Sequence, residues 1–120
     1  TSNICSNQGL MALYVSIYMS LLGASGLREI AYRGHQCAVY LLQQMTVAGG
    51  CRLKYPGQPF LNEFLLEMDC DVDAFIARAL DAGILAGIRT GENGLLMAAT
   101  EMQTREDVDR LVEIYKSLKK

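Results

Sequence analysis

Phe60-Leu61-Asn62-Glu63-Phe64-Leu65-Leu66-Glu67-Met68 divides its residues between two faces. Phe60, Asn62, Phe64, Leu66 and Met68 fall on one side of an extended chain, and Leu61, Glu63, Leu65 and Glu67 on the other. That is the period of a β-strand. Just upstream, Pro56-Gly57-Gln58-Pro59 makes a turn whose two prolines suit neither strand nor helix, and residues 51–55 before it read as a second strand. Downstream, Asp71 caps a helix in which Val72, Phe75, Ile76, Ala79 and Leu80 form an apolar stripe, and Gly83 stops it. Two short strands, 84–88 and 95–100, then flank Arg89-Thr90-Gly91-Glu92-Asn93-Gly94, where Asn-Gly offers the positive backbone dihedrals of a hairpin. They should pair antiparallel. Thr104-x-x-Asp107 has the form of a capping box. It precedes the stripe Val108, Leu111, Val112, Tyr115 and Leu118, and Lys116, Lys119 and Lys120 suit the negative end of that last helix.

Towards the N-terminus the pattern changes. Residues 1–27 contain no Asp, Glu, Lys, Arg or His. Ser6 and Asn7 are natural caps, residues 8–22 read as a helix apolar around most of its circumference, and Gly23 closes it. A second helix follows from Ser25 to the Ala48-Gly49-Gly50 break. It has Leu27, Ile30, Ala31, Ala38, Leu41, Leu42 and Met45 at helical spacing, with Arg28, Glu29, Arg33 and Gln43 left for water. An uncharged opening of this kind lies in a membrane, is removed as a signal, or is covered by protein. The apolar part, 10–22, falls short of the roughly 20 residues a span needs and lacks flanking basic residues, and no Lys or Arg precedes it as in a signal peptide. The favoured reading is a helix buried by protein on nearly all sides. The element order ααββαββα specifies an α+β fold, a small, mostly antiparallel sheet with helices packed on one face.

At 120 residues the chain holds one domain with one core. Its formal charge of −2, with acids and bases interspersed, supplies no basic stripe for a phosphate backbone, so nucleic acid is not an expected partner, nor is a membrane. Cys5, Cys37, Cys51 and Cys70 form no C-x-x-C pair, and His35 is the only histidine. No metal site is expected, and the cysteines read as reduced, mostly buried residues of a cytoplasmic protein. Lys54 at a strand end and the C-terminal lysines lack the desolvated setting of a nucleophilic amine. His35 has no local serine or carboxylate with which to form a triad. Glu63 and Glu67 share a strand face, while Asp69, Asp71 and Asp73 crowd a helix start, where they serve the helix dipole. No catalytic residue emerges from this reading.

The exception is Thr1-Ser2-Asn3-Ile4-Cys5-Ser6-Asn7-Gln8, six hydrogen-bonding side chains at a helix start, a setting that suits an anion as well as simple capping. Cys5 stands close to that helix start, a position that can activate its thiol, whereas burial next to Ile4 would do the opposite. The octapeptide also carries a resemblance. With Leu22-Gly23, Gly26-Leu27-Arg28-Glu29-Ile30-Ala31, Pro59-Phe60-Leu61-Asn62-Glu63-Phe64, Ala82-Gly83-Ile84, Thr100-Glu101 and Thr104-Arg105-Glu106-Asp107-Val108-Asp109, it resembles the glycine dehydrogenase (decarboxylating) P-protein of the glycine cleavage system. More narrowly, it is similar to subunit 1 of the two-subunit bacterial form. The match runs over essentially the whole chain.

The resemblance implies a pyridoxal-phosphate enzyme of the aspartate-aminotransferase fold (fold type I) that decarboxylates glycine and passes the aminomethyl group to the lipoyl arm of H-protein. Residues 1–120 would be its C-terminal small domain, an excised piece of a larger subunit, with 1–24 packing on a large domain. The cofactor's lysine would belong to the partner, glycine dehydrogenase subunit 2, so this chain should bind no cofactor itself and be inactive alone. Thr1, Ser2, Asn3 and Cys5 would approach the partner's cofactor. The chain departs from the family where Gly91-Glu92-Asn93-Gly94 closes a segment that is longer in relatives, and at Gly34-His35-Gln36-Cys37, where relatives vary. A bare apolar helix also predicts self-association. The rival reading is a stand-alone regulatory module that binds a small amino acid.

Overall fold

The computed structural model describes residues 6–119. In chain order the elements are α1 (Ser6–Ala48), β1 (Cys51–Leu53), β2 (Glu63–Met68), α2 (Val72–Asp81), β3 (Ile88–Thr90), β4 (Gly94–Ala98) and α3 (Arg105–Leu118). α1 is interrupted at Gly23, which takes φ 61° and ψ −176°, values that end one helix and let another begin. Counting that break, the order is the ααββαββα of the sequence reading.

The four strands form one sheet in the order β1-β2-β4-β3, antiparallel throughout. β2 alternates as its sequence requires, with Phe64, Leu66 and Met68 buried, and its register sets Phe64 opposite Met97 and Leu66 opposite Leu95. That inner face meets Ala38, Leu41 and Met45 of α1, Val72, Phe75 and Ala79 of α2, and Val108, Leu111, Val112 and Tyr115 of α3 in a single core. Asp71 caps α2, accepting from the backbone N–H of Asp73 (2.9 Å) and Ala74 (3.1 Å). Thr104 and Asp107 close the capping box of α3.

Several expectations need correcting. β2 begins at Glu63, and Phe60 instead leaves the ladder to pack against Phe64, ring centroids 5.4 Å apart. Leu80 is 58% exposed, outside the buried stripe of α2, and Leu27 and Ala31 of α1 are exposed as well. The strand expected at 84–88 is displaced to Ile88–Thr90. Gly87 takes φ 150° with its Cα against the Leu96 carbonyl, so the chain joins the ladder only after it. The hairpin turn shifts in step. Gly91, at φ 65°, supplies the positive dihedral, while Gly94 lies in the ladder opposite Thr90. The helix expected to be buried on nearly all sides is not buried within this chain, since residues 7–20 are all exposed.

Candidate functional site

Thr1, Ser2, Asn3 and Cys5, named from the sequence as approaching a partner's cofactor, lie outside the described residues. The helix that follows them is the most unusual surface of the molecule. Leu10, Met11, Leu13, Tyr14, Val15, Ile17, Tyr18, Met19 and Leu21 are all exposed, Leu21 at 81%. Monomeric proteins rarely leave so much contiguous apolar surface in water. Among the described residues α1 is also the one helix long and apolar enough to cross a membrane, by length and composition.

The other titratable residues singled out above are dispersed and already engaged. Glu67 pairs with Arg52 (2.8 Å) and lies 4.0 Å from Lys54, so it is no partner for Glu63 in acid–base work. Asp73 pairs with Arg89, Asp71 is the α2 cap, and Asp69 accepts from the Tyr115 hydroxyl (3.2 Å). No group of three metal-ligating side chains occurs among the described residues. Cys37, Cys51 and Cys70 are free thiols and half-buried, less covered than expected, and burial pushes each thiol above its ordinary pKa.

One concavity does gather polar and aromatic groups. It has a volume of about 530 Å³ and lies between the inner half of α1 and the segment entering α3. Tyr32, His35, Gln36, Val39, Tyr40 and Gln43 form the α1 wall at spacings of three and four, and Gln103, Thr104 and Arg105 stand opposite. His35 Nδ1 lies 2.7 Å from the Leu61 carbonyl, so that nitrogen donates and the ring is fixed, with Phe60 5.8 Å away. The Tyr40 hydroxyl donates to Asp109 (2.8 Å). That bond to a carboxylate pushes the phenol pKa up. The Arg105 guanidinium lies 5.0 Å from the centre of the Tyr40 ring. No sequence motif marks Arg105 or the two tyrosines as site residues; Arg105 falls only within a stretch that carries the family resemblance. The available signal was a cation at the first position of a helix, where the dipole favours an acid.

A family model described as "Glycine cleavage system P-protein" matches residues 1–115. A probable glycine dehydrogenase (decarboxylating) subunit 1 from Chlorobium limicola is 44% identical over 98% of this chain and 27% of its own length. The chain therefore spans about a quarter of that relative. A crystal structure of glycine decarboxylase (P-protein) of the glycine cleavage system, in inhibitor-bound form, superposes with a TM-score of 0.86 at 34% identity, over 98% of this chain and 28% of that one. An aminotransferase, TlmJ from Streptoalloteichus hindustanus, shares the fold with a TM-score of 0.60 at 18% identity, over 76% of this chain and 32% of its own.

Proposed function

The chain belongs to the glycine cleavage system P-protein family, and from that premise we propose that residues 1–120 are the C-terminal small domain of a glycine dehydrogenase (decarboxylating) subunit. The intact cytoplasmic enzyme would be an oxidoreductase that decarboxylates glycine with pyridoxal phosphate and hands the aminomethyl group to lipoyl H-protein. Within it, this domain has a structural role. Residues 1–24 lie against a large domain, and glycine dehydrogenase subunit 2 carries the cofactor.

The observation that best supports this is the fate of α1. Its fold relation to the rest of the domain matches a P-protein over 98% of the chain, yet its outer half has no cover here. A surface of that kind suits an interdomain or intersubunit contact. The lysines agree with a cofactor held elsewhere. Lys54 faces Glu67, Lys116 pairs with Glu113 (2.7 Å), and Lys119 donates to the Ala48 carbonyl (2.6 Å). None of the described lysines is an unpaired amine, which supports a cofactor lysine on the partner.

The test is release of labelled carbon dioxide from carboxyl-labelled glycine by the longer subunit together with its partner and H-protein. Release should fail, and the partner should no longer co-purify, when Leu13→Lys and Ile17→Lys are combined. Full activity in that double variant would overturn the docking role. A new absorption band on mixing pyridoxal phosphate with the 120-residue chain, lost in Lys54→Ala, would overturn the assignment of the cofactor to the partner.

A further inference from the structure

The inner half of α1 carries two stripes. Ala38, Leu41 and Met45 go to the core, while the neighbouring row from Tyr32 to Gln43 lines the cleft opposite Arg105. At about 530 Å³ the cleft falls within the size range of small-molecule sites. Arg105 is the one Asp, Glu, Lys or Arg among the lining residues, and the Asp109 and Glu106 carboxylates lie close enough to act on the Tyr40 wall. Arg33, Arg52 and Arg89 each spend their guanidinium on a carboxylate. Arg105, like Arg28, Arg78 and Arg110, has none within 4.0 Å among the described residues.

The stack on the Tyr40 ring favours Arg105 here, while its place in the helix opposes it. Arg105 opens α3, where the helix dipole disfavours positive charge. Meanwhile some of the groups around it are locked. The Tyr40 hydroxyl is tied to Asp109, which fixes the ring. Thr104 is fixed by the capping box with Asp107, and the Gln103 carboxamide oxygen accepts from the Thr100 N–H (2.6 Å) and hydroxyl (3.0 Å), which turns its NH₂ into the available end. Tyr40, Thr104 and Gln103 thus need little ordering when a ligand arrives, while the exposed Tyr32, Gln36, Gln43 and Arg105 side chains would order on it.

We propose that this cleft binds a small organic carboxylate with a planar or apolar body. The Arg105 fork takes the carboxylate through paired N–H donors. Tyr32, Val39 and Tyr40 cover the body, and the carboxamides of Gln36 and Gln43 select among bodies by hydrogen bonding. An inorganic anion would meet the guanidinium but leave the aromatic wall unused. This assignment concerns the chain's own surface and does not depend on the glycine dehydrogenase reading.

The experiment is an amide-resolved NMR titration of the 120-residue chain with benzoate, acetate, inorganic phosphate and benzyl alcohol. Benzoate should shift residues 32–43 and 103–107 saturably, at least about tenfold more tightly than acetate or phosphate, since only it uses both features. Benzyl alcohol, which lacks the carboxylate, should not saturate. Arg105→Gln should weaken benzoate by about tenfold or more, with amide shifts away from the cleft unchanged to show that the fold is intact. Three results would overturn the proposal: no saturable shift, equal affinity for benzyl alcohol, or wild-type benzoate affinity in Arg105→Gln. Shifts confined to the apolar outer half of α1 count as the first of these.

Discussion

Tyr115 ties the end of α3 to the end of α1, and removing its hydroxyl tests whether that tie holds the domain together. The ring is fully buried and meets Phe75 edge-on, centroids 5.7 Å apart at 76°, while the hydroxyl donates to the Gly49 carbonyl (2.9 Å) with Asp69 Oδ1 at 3.2 Å. In Tyr115→Phe the ring and its packing remain, and one proton shared between two acceptors is lost. A hydrogen bond contributes about 1 kcal/mol net, and a carboxylate acceptor raises that towards about 1.5 kcal/mol. Asp69 is exposed, so water can replace part of the loss. In Tyr115→Ala the ring leaves as well, at about 3–5 kcal/mol. With an m-value of about 2 kcal/mol/M, the urea midpoint followed by far-UV circular dichroism should fall by about 0.5–0.8 M for Phe and about 2 M for Ala. Alkali supplies an independent check. Burial raises the Tyr115 pKa in the folded chain, so the unfolded chain gives up this proton first as pH climbs, and stability is lost above the ordinary tyrosine value of about 10. Tyr115→Phe should lose less stability than the parent over that window. A Phe variant as stable as the parent, or as damaged as Ala, would refute the reasoning.

Gly87→Ala should cost about 2–4 kcal/mol, because φ is 150° and a Cβ would collide with the Leu96 carbonyl of the neighbouring strand. Gly9→Ala, in open space on α1, should instead be neutral or stabilising by up to about 1 kcal/mol, and chemical denaturation of both variants checks the contrast. Thr104→Ala should cost about 1 kcal/mol through the lost cap of α3. The same capping box is pH-sensitive. The backbone N–H of Thr104, and then its hydroxyl, hold the Asp107 carboxyl below the usual range. Its contribution is therefore present above about pH 4 and fades as acid is added, so the gap between parent and Thr104→Ala should narrow in acid. Sedimentation of the 120-residue chain should show concentration-dependent association that Leu13→Lys with Ile17→Lys abolishes; a parent that stays monomeric at high concentration sinks that expectation.

What the sequence disclosed follows from which signals are local. The alternation of β2, the Asp71 cap and the Thr104–Asp107 box each rest on contacts within a few residues, and all are present. The hairpin differs from the expected one because Ile84-Leu85-Ala86-Gly87-Ile88 has the pattern of an apolar strand. Its fate turns on a long-range fact, the close approach of Gly87 to Leu96, and Leu85 ends up 88% exposed. The Asn93-Gly94 signal failed for a related reason. Pairing of Thr90 with Gly94 draws that glycine into the ladder and leaves Gly91 to turn the chain. The cleft stayed hidden because its two walls are some 60 residues apart in sequence, and only the odd placement of Arg105 at a helix start marked it.

The uncharged opening and the charged remainder of α1 obey different physics on either side of Gly23. Beyond the kink, the helix presents Ala38, Leu41 and Met45 to the core and is held by this chain alone. Before it, nine large apolar side chains are exposed and contribute nothing to that core. Burying one such side chain is worth about 1.5–3 kcal/mol, so covering even half of them would release on the order of 10 kcal/mol before ordering costs. That is comparable with the whole stability of a typical domain, about 5–15 kcal/mol. Substitutions at Leu13 or Ile17 should therefore leave the folding of the chain almost untouched and weaken docking strongly, whereas substitutions at Leu41 or Met45 should do the reverse.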